Sequence, residues 1–163
     1  MICHIHYYLL DPYLDWWAED AKVIEGPYLA DQRLWPTAVL CGKQVYLFGG
    51  QDSDENDTDS VSILDLEKNT CRNGPPMSSA RTAFDAVLLD EKRILLLGGR
   101  DGYVGLDTTE IFDIKSETFF AGPQLQVARY SHANVMINDN QVLILGGRRS
   151  WHDGDENETA CTS

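Results

Sequence analysis

The sequence predicts an all-β chain assembled from one repeated unit of four antiparallel strands, and three periodic features predict it. Double glycines stand at Gly49-Gly50, Gly98-Gly99 and Gly146-Gly147, at nearly equal intervals, each closing an aliphatic run. Gly-Pro pairs recur at Gly26-Pro27, Gly74-Pro75 and Gly122-Pro123, and here the two intervals are identical. Seven residues past each of those glycines stands an arginine, Arg33, Arg81 or Arg129, and three past it a bulky apolar residue, Leu29, Met77 or Leu125. Asp65 and Asp113 add another column in the same phase. Several columns in phase mark one supersecondary unit used repeatedly, the signature of solenoids and propellers.

Taken in order, residues 2–10 read as a strand, followed by a short one near Trp17. Residues 35–40 and 44–48 then flank Cys41-Gly42-Lys43 as a hairpin, because Gly tolerates the positive φ of a tight turn. A third strand over 61–66 and a fourth around Cys71 complete the unit. The pattern repeats with 82–89 and 93–97 about Asp90-Glu91-Lys92, then 109–114 and a strand at Phe119. It opens again with 130–137 and 141–145 about Asn138-Asp139-Asn140. These runs are short and strand-like and lack the i, i+3, i+4 spacing of helical repeats. Four antiparallel strands per roughly 50 residues is the blade of a β-propeller. The double glycines fit strand ends where a side chain would clash or positive φ is required.

The repeat units run over about 1–25, 26–73, 74–121 and 122–163, as one repeat region. With strands lettered a to d, the chain opens on c and d, passes through two complete blades and finishes on a and b. A remnant at 158–163 aligns with the next c strand. Twelve strands make three blades' worth, fewer than the four to eight blades of a closed ring. The expectation is an incomplete propeller with a half-blade at each side. Either it is a piece of a larger ring, or two copies complement each other's half-blades as a homo-oligomer.

These residues resemble the kelch-repeat family, whose unit runs as an aliphatic strand ending in Gly-Gly, an aromatic-Asp strand, a Trp strand, then Pro-Met and Arg. The pattern falls here on Gly49-Gly50, Leu64-Asp65, Pro76-Met77 and Arg81, then on Gly98-Gly99, Phe112-Asp113, Phe119, Pro123 and Arg129. Leu10-Asp11-Pro12 with Trp17 carries it into the first unit. Cys71 and Phe119 stand where the family prefers Trp, and about six extra residues separate Trp17 from Gly26. The resemblance implies a kelch β-propeller fragment. In kelch domains that bind peptides it implies contacts one or two residues beyond the repeated arginine, at the mouth of the central channel. It extends to substrate adaptors for ubiquitin ligation, in which a further domain accompanies the repeats.

A net charge of −13 and a pI near 4.5 argue against nucleic acid and anionic membrane as partners, since both need a cationic face. Cys3, Cys41, Cys71 and Cys161 show neither CxxC nor metal-like spacing, so ordinary packing is expected and no cofactor is read. The first eleven residues lack a positive n-region and a cleavage site, and no apolar run approaches membrane length, which points to the cytoplasm. The loop 51–60 offers oxygen ligands at its first, third and fifth positions but has Asp57 where a calcium loop needs Gly and Ile63 where it needs Glu. It reads as a solvated acidic loop, and so does 153–158. His4 and His6 alternate along one strand and share a face.

No catalytic, cofactor-binding or metal-binding residue is assigned. Candidate interaction residues are Arg33, Trp35, Arg81, Thr82, Arg129, Tyr130 and Ser131. A guanidinium near the loop face could receive a carboxylate, and an aromatic beside it suits an interaction hot spot. A repeated arginine is also what a blade would need structurally. The reading is a non-enzymatic protein-interaction module whose blades carry variable loops 51–60, 100–107 and 148–157. The alternative is part of a kelch-fold enzyme or sugar-binding protein, galactose-oxidase-like or sialic-acid-isomerase-like.

Overall fold

A computed structural model describes residues 4–9, 22–29 and 31–149. All its regular elements are strands. The first pair is β1 (His4–Leu9) with β2 (Lys22–Tyr28), antiparallel. One four-stranded sheet follows, β3 (Thr37–Cys41), β4 (Gln44–Phe48), β5 (Val61–Asp65) and β6 (Thr70–Asn73), in that spatial order. The second sheet opens with β7 (Asp85–Asp90) and β8 (Arg93–Leu97). The loop after β8 folds into a small hairpin, β9 (Arg100–Asp101) with β10 (Val104–Gly105). Then β11 (Thr109–Asp113) and β12 (Thr118–Ala121) complete the sheet, its four strands again in chain order. A last pair joins β13 (Tyr130–Asn138) to β14 (Gln141–Arg148). β3 packs beside β7 and β7 beside β13, so the first strands of successive sheets stand side by side. This is a partial β-propeller with two complete blades and a strand pair on either side of them.

The blades pack by alternation. Tyr46 and Phe48 of the first blade join Ile94, Leu96 and Phe112 of the second in one buried cluster. Phe112 stands at its centre, 5.6 Å from both the Tyr46 and Phe48 rings and 4.9 Å from Phe119. Burying one such ring stabilises the fold by roughly 1.5–3 kcal/mol. Successive side chains of a strand point to opposite faces, so Leu95 and Leu97, also buried, serve the side toward β13. A strand covered on both faces needs the uninterrupted aliphatic run that Ile94 to Leu97 supplies.

Three expectations are corrected. The first strands begin at Thr37 and Asp85 rather than at 35 and 82, because Trp35 and Ala83 take positive φ and interrupt the extension. The partner of β1 is Lys22–Tyr28, not a strand near Trp17, which lies outside the described residues. Gly26-Pro27 therefore sits within a strand, whereas Gly74 and Gly122 fall one residue beyond β6 and β12. Finally, the register of β1 shifts between His4 and His6, so simple alternation does not hold there. The segments 153–158 and 158–163 also lie outside the described residues.

Both glycines of each pair adopt positive φ. A Cβ on Gly98, at φ +56°, would lie 2.5 Å from the carbonyl oxygen of Arg129, and one on Gly49 would lie 2.3 Å from that of Arg81. On Gly146, at φ +67°, it would meet nothing within 4 Å. Gly98→Ala therefore carries a clash as well as backbone strain, and Gly146→Ala strain alone. In urea titrations Gly98→Ala should lose about 2–4 kcal/mol and Gly146→Ala about 1–2 kcal/mol. Equal losses would contradict the role given to the arginine carbonyl.

Candidate functional site

The repeated arginines build the frame on which the loops stand. Arg33 donates through Nη1 to the Gly49 carbonyl at 3.5 Å and the Ser60 carbonyl at 2.7 Å, and through Nη2 to Ser62 Oγ. Arg81 donates through Nη1 to Gly98 O at 2.9 Å and Thr108 O at 3.3 Å, and through Nη2 to Glu110 Oε1 at 2.6 Å. Arg129 reaches Gly146 O at 3.1 Å. Each guanidinium thus grips the first glycine of the blade its own segment enters. The backbone of the same residue reaches the other way: the Arg81 carbonyl accepts from Gly50 N at 3.0 Å and that of Arg129 from Gly99 N at 2.8 Å. Side chain and main chain of one arginine therefore join two consecutive blades.

Arg33 is 7% exposed and Arg81 0%, so these guanidiniums, placed near the loop face by the sequence, point into the blades. Burial lowers the basicity of both. Their compensation differs, because Arg81 has the buried carboxylate of Glu110, which also accepts from Ser78 N at 2.9 Å. The equivalent position one repeat earlier, in the first blade, holds Ser62. The hydrogen bonds of Arg33 go to neutral oxygens.

The residue after each arginine bridges to the residue after the double glycine. Leu34 exchanges two 2.8 Å hydrogen bonds with Gln51, and Thr82 two of 2.9 Å with Arg100, while Tyr130 lies opposite Arg148. The next residue takes positive φ in all three units, at 53° for Trp35, 51° for Ala83 and 53° for Ser131. For residues with a Cβ this costs of order 1–3 kcal/mol and persists only where the surroundings impose it. Here the bridges impose it, and Ser131 N donates to Ala83 O at 2.7 Å, tying neighbouring units together. Trp35 consequently stands 66% exposed despite its size, whereas Tyr130 and Thr82 are buried.

Trp35 and Tyr130 line one open cleft of about 570 Å³, together with Gln51, Arg100, Tyr103 and Arg148. Asp57, its side chain 2% exposed, locks the cleft wall. It accepts from Gln51 Nε2 at 2.9 Å and from Gly102 N at 2.7 Å, and Arg100 Nη1 lies 3.7 Å away. The loop 51–60 of one blade is so fastened to the β9–β10 hairpin of the next. Sequence reasoning named both loops, and Asp57 only as a residue out of place in a calcium loop, but gave no role in a site to Asp57, Arg100 or Tyr103. The Asp101-Gly102 pair, a common hairpin signal, was the available clue to β9–β10. Arg33, Arg81 and Thr82 do not face this cleft's opening. Among the described residues, no three His, Cys, Asp or Glu side chains are grouped as a metal ion would require. Nor is any helix there long and apolar enough to cross a membrane.

His132 occupies the column that Phe84 holds one repeat earlier. Both rings sit beneath a double glycine: Phe84 lies 2.9 Å from where a Gly49 Cβ would be, and His132 Cε1 3.2 Å from that of Gly98. Burial pushes the His132 imidazole below its ordinary range, with Asp85 opposing and Arg129 adding to the effect.

Residues 36–78 match a family model described as the kelch motif. An F-box/kelch-repeat protein of Arabidopsis thaliana is 43% identical over 65 residues, covering 40% of this chain. The matched stretch spans 15% of that protein's length.

Removing Glu110 leaves Arg81 charged and uncompensated at full burial. Glu110→Ala should cost about 3–5 kcal/mol in chemical denaturation, against about 1–2 kcal/mol for Ser62→Ala, which removes a neutral acceptor. A second expectation concerns acid. His132 binds its proton more weakly folded than unfolded, so the unfolded state takes up the proton first and stability falls as pH drops below about 6.5. The fall ends once the folded histidine also titrates. His132→Phe, which copies the neighbouring unit, should flatten that part of the stability profile measured between pH 7 and 5. An unchanged slope would assign it to another group.

Proposed function

The chain carries kelch repeats, and on that premise we propose that it is a non-catalytic protein-binding module which takes an extended segment of a partner protein in the Trp35–Tyr130 cleft. One observation carries the reading: a tryptophan held two-thirds exposed on strained backbone, lining a cleft with Tyr130, Tyr103 and Arg100. A large apolar surface kept in water at a conformational cost is what a hot-spot residue looks like before its partner arrives. Tyr103, 76% exposed at the β9–β10 turn, offers a second aromatic contact of the same kind. Ser131 is exposed one position beyond Tyr130.

The arginine column has a supporting role in this reading. Arg33, Arg81 and Arg129 hold the blades in register, and Trp35, two beyond the first, and Tyr130, one beyond the last, meet the ligand. The Arabidopsis relative is named for an F-box and kelch repeats, and residues 36–78 of this chain match the kelch motif. The acidic composition makes a partner segment with basic residues the better electrostatic match.

Selection from a displayed peptide library against the 163-residue chain, followed by affinity measurement, tests this. Trp35→Ala should weaken the selected peptides by about 30-fold, the effect of a hot-spot residue worth ~2 kcal/mol. Its unfolding midpoint should hardly move, since the side chain is mostly in water. Peptides that bind the variant equally well, or a selection yielding none, would refute the cleft as the site.

A further inference from the structure

The charges that line the Trp35–Tyr130 cleft do not cancel. Glu55, Asp57 and Asp101 stand there against Arg100 and Arg148. Asp57 and Arg100 belong to the wall, where the guanidinium lies 3.7 Å from the buried carboxylate and donates to the Gly102 carbonyl at 2.6 Å. Arg148 makes a contact of its own. Glu55 and Asp101 are exposed, and among the described residues neither side chain makes a hydrogen bond or an ion pair. Asp52, their neighbour in the acidic loop, is different: it folds its carboxylate back onto the loop, accepting from Asp54 N and Asn56 N, both at 2.9 Å. Glu55 follows at φ +64° and is the carboxylate of that turn left to the cleft. Two uncompensated carboxylates on one cleft favour a cation there.

Two aromatic rings share the cleft with them, Trp35 at 66% exposure and Tyr103 at 76%. Their backbone spacing is set by one chain of contacts. Leu34, next to Trp35, exchanges main-chain hydrogen bonds with Gln51. Gln51 Nε2 donates to Asp57 Oδ1 at 2.9 Å, and Asp57 Oδ2 accepts at 2.7 Å from the amide of Gly102, next to Tyr103. Asp57 therefore has two effects on the cleft. It holds the loops that carry the two rings together, and it offsets the charge of Arg100, which would otherwise oppose an incoming cation.

An open aromatic face attracts a cation, tryptophan most strongly, and arginine is the side chain most often found there. A guanidinium is planar, so it can lay its face on the indole while its in-plane N–H groups reach carboxylates at the side. The ammonium of lysine is a compact, strongly hydrated point charge and gains less from a flat ring. Granted that the cleft is where a partner segment binds, we infer that it selects a segment carrying an arginine, which stacks on Trp35 and donates to Glu55 and Asp101. The acidic composition of the whole chain favours any basic partner, whereas this arrangement favours one side chain at one place.

Peptides selected from a displayed library against the full chain should carry an arginine whose replacement by citrulline weakens binding about tenfold or more. Citrulline keeps the planar group and removes the charge, and the protein itself is untouched. Lysine at that position should recover only part of the loss. Glu55→Gln combined with Asp101→Asn should weaken the arginine peptide about tenfold while leaving its citrulline form unchanged, a pattern that a mere disturbance of the loops would not give. Added salt should weaken the arginine peptide for the same reason. Selected peptides that depend on Trp35 but contain no arginine leave the cleft as the binding surface and overturn this inference. So does citrulline or lysine binding as tightly as arginine, or a doubly substituted chain that binds the arginine peptide unchanged. Peptides indifferent to Trp35→Ala, or a selection yielding none, remove the cleft itself and the inference with it.

Discussion

Everything in this chain is referred to one short contact, the approach of an arginine carbonyl to the Cα of a glycine in the preceding blade. A Cβ there would stand 2.3 to 2.5 Å from the oxygen, so the position accepts only glycine. The same arginine then bends its side chain onto the first glycine carbonyl of its own blade. A single residue thereby fixes both the spacing between blades and the closing of one blade on itself. Gly-Gly and Arg recur together because neither is useful without the other.

That contact decides where the chain is rigid and where it is free to vary. Behind it lies the inter-blade core of Tyr46, Phe48, Ile94, Leu96 and Phe112, packed by ordinary strand alternation. In front lie bridges that force positive φ on Trp35, Ala83 and Ser131, three residues with no chemistry in common. The backbone repeats while the side chains do not. A frame that holds the main chain so firmly leaves the outward side chain open to any identity. The units differ within the frame as well: Glu110 neutralises Arg81, whereas Arg33 rests on Ser60 and Ser62.

Much of this was legible from periodicity. The hairpin turns, β4 and β8 in full, the spans of β5 and β11 to within a residue, and the places of β6 and β12 follow from alternation and from columns that recur at one fixed spacing. The start of β3 was not, because nothing in Trp35-Pro36 announces positive φ at a tryptophan. The partner strand of β1 was misplaced because the Asp-to-Trp spacing of one family column competed with the Gly-Pro column, and the longer connection between β1 and β2 resolves the conflict in favour of neither. Burial of Arg81 and Arg33 could not be read from residue type, since a lone arginine gives no sign of which oxygens await it. Asp57 was hidden for a related reason. Among several acidic neighbours, only the fold shows which carboxylate turns inward.

The Trp35–Tyr130 cleft also bears on how the units influence each other. In a linear repeat each unit feels only its immediate neighbours, so the stability of the array is a sum of local terms. Trp35 stands at the entrance to the first complete blade and Tyr130 at the start of β13, with Arg100 and Tyr103 of the intervening blade between them. A ligand touching both ends of that cleft adds a coupling between units that are not adjacent. Binding would then make the array behave as one cooperative body, and the loss of any one unit would be felt as a loss of affinity at the other two.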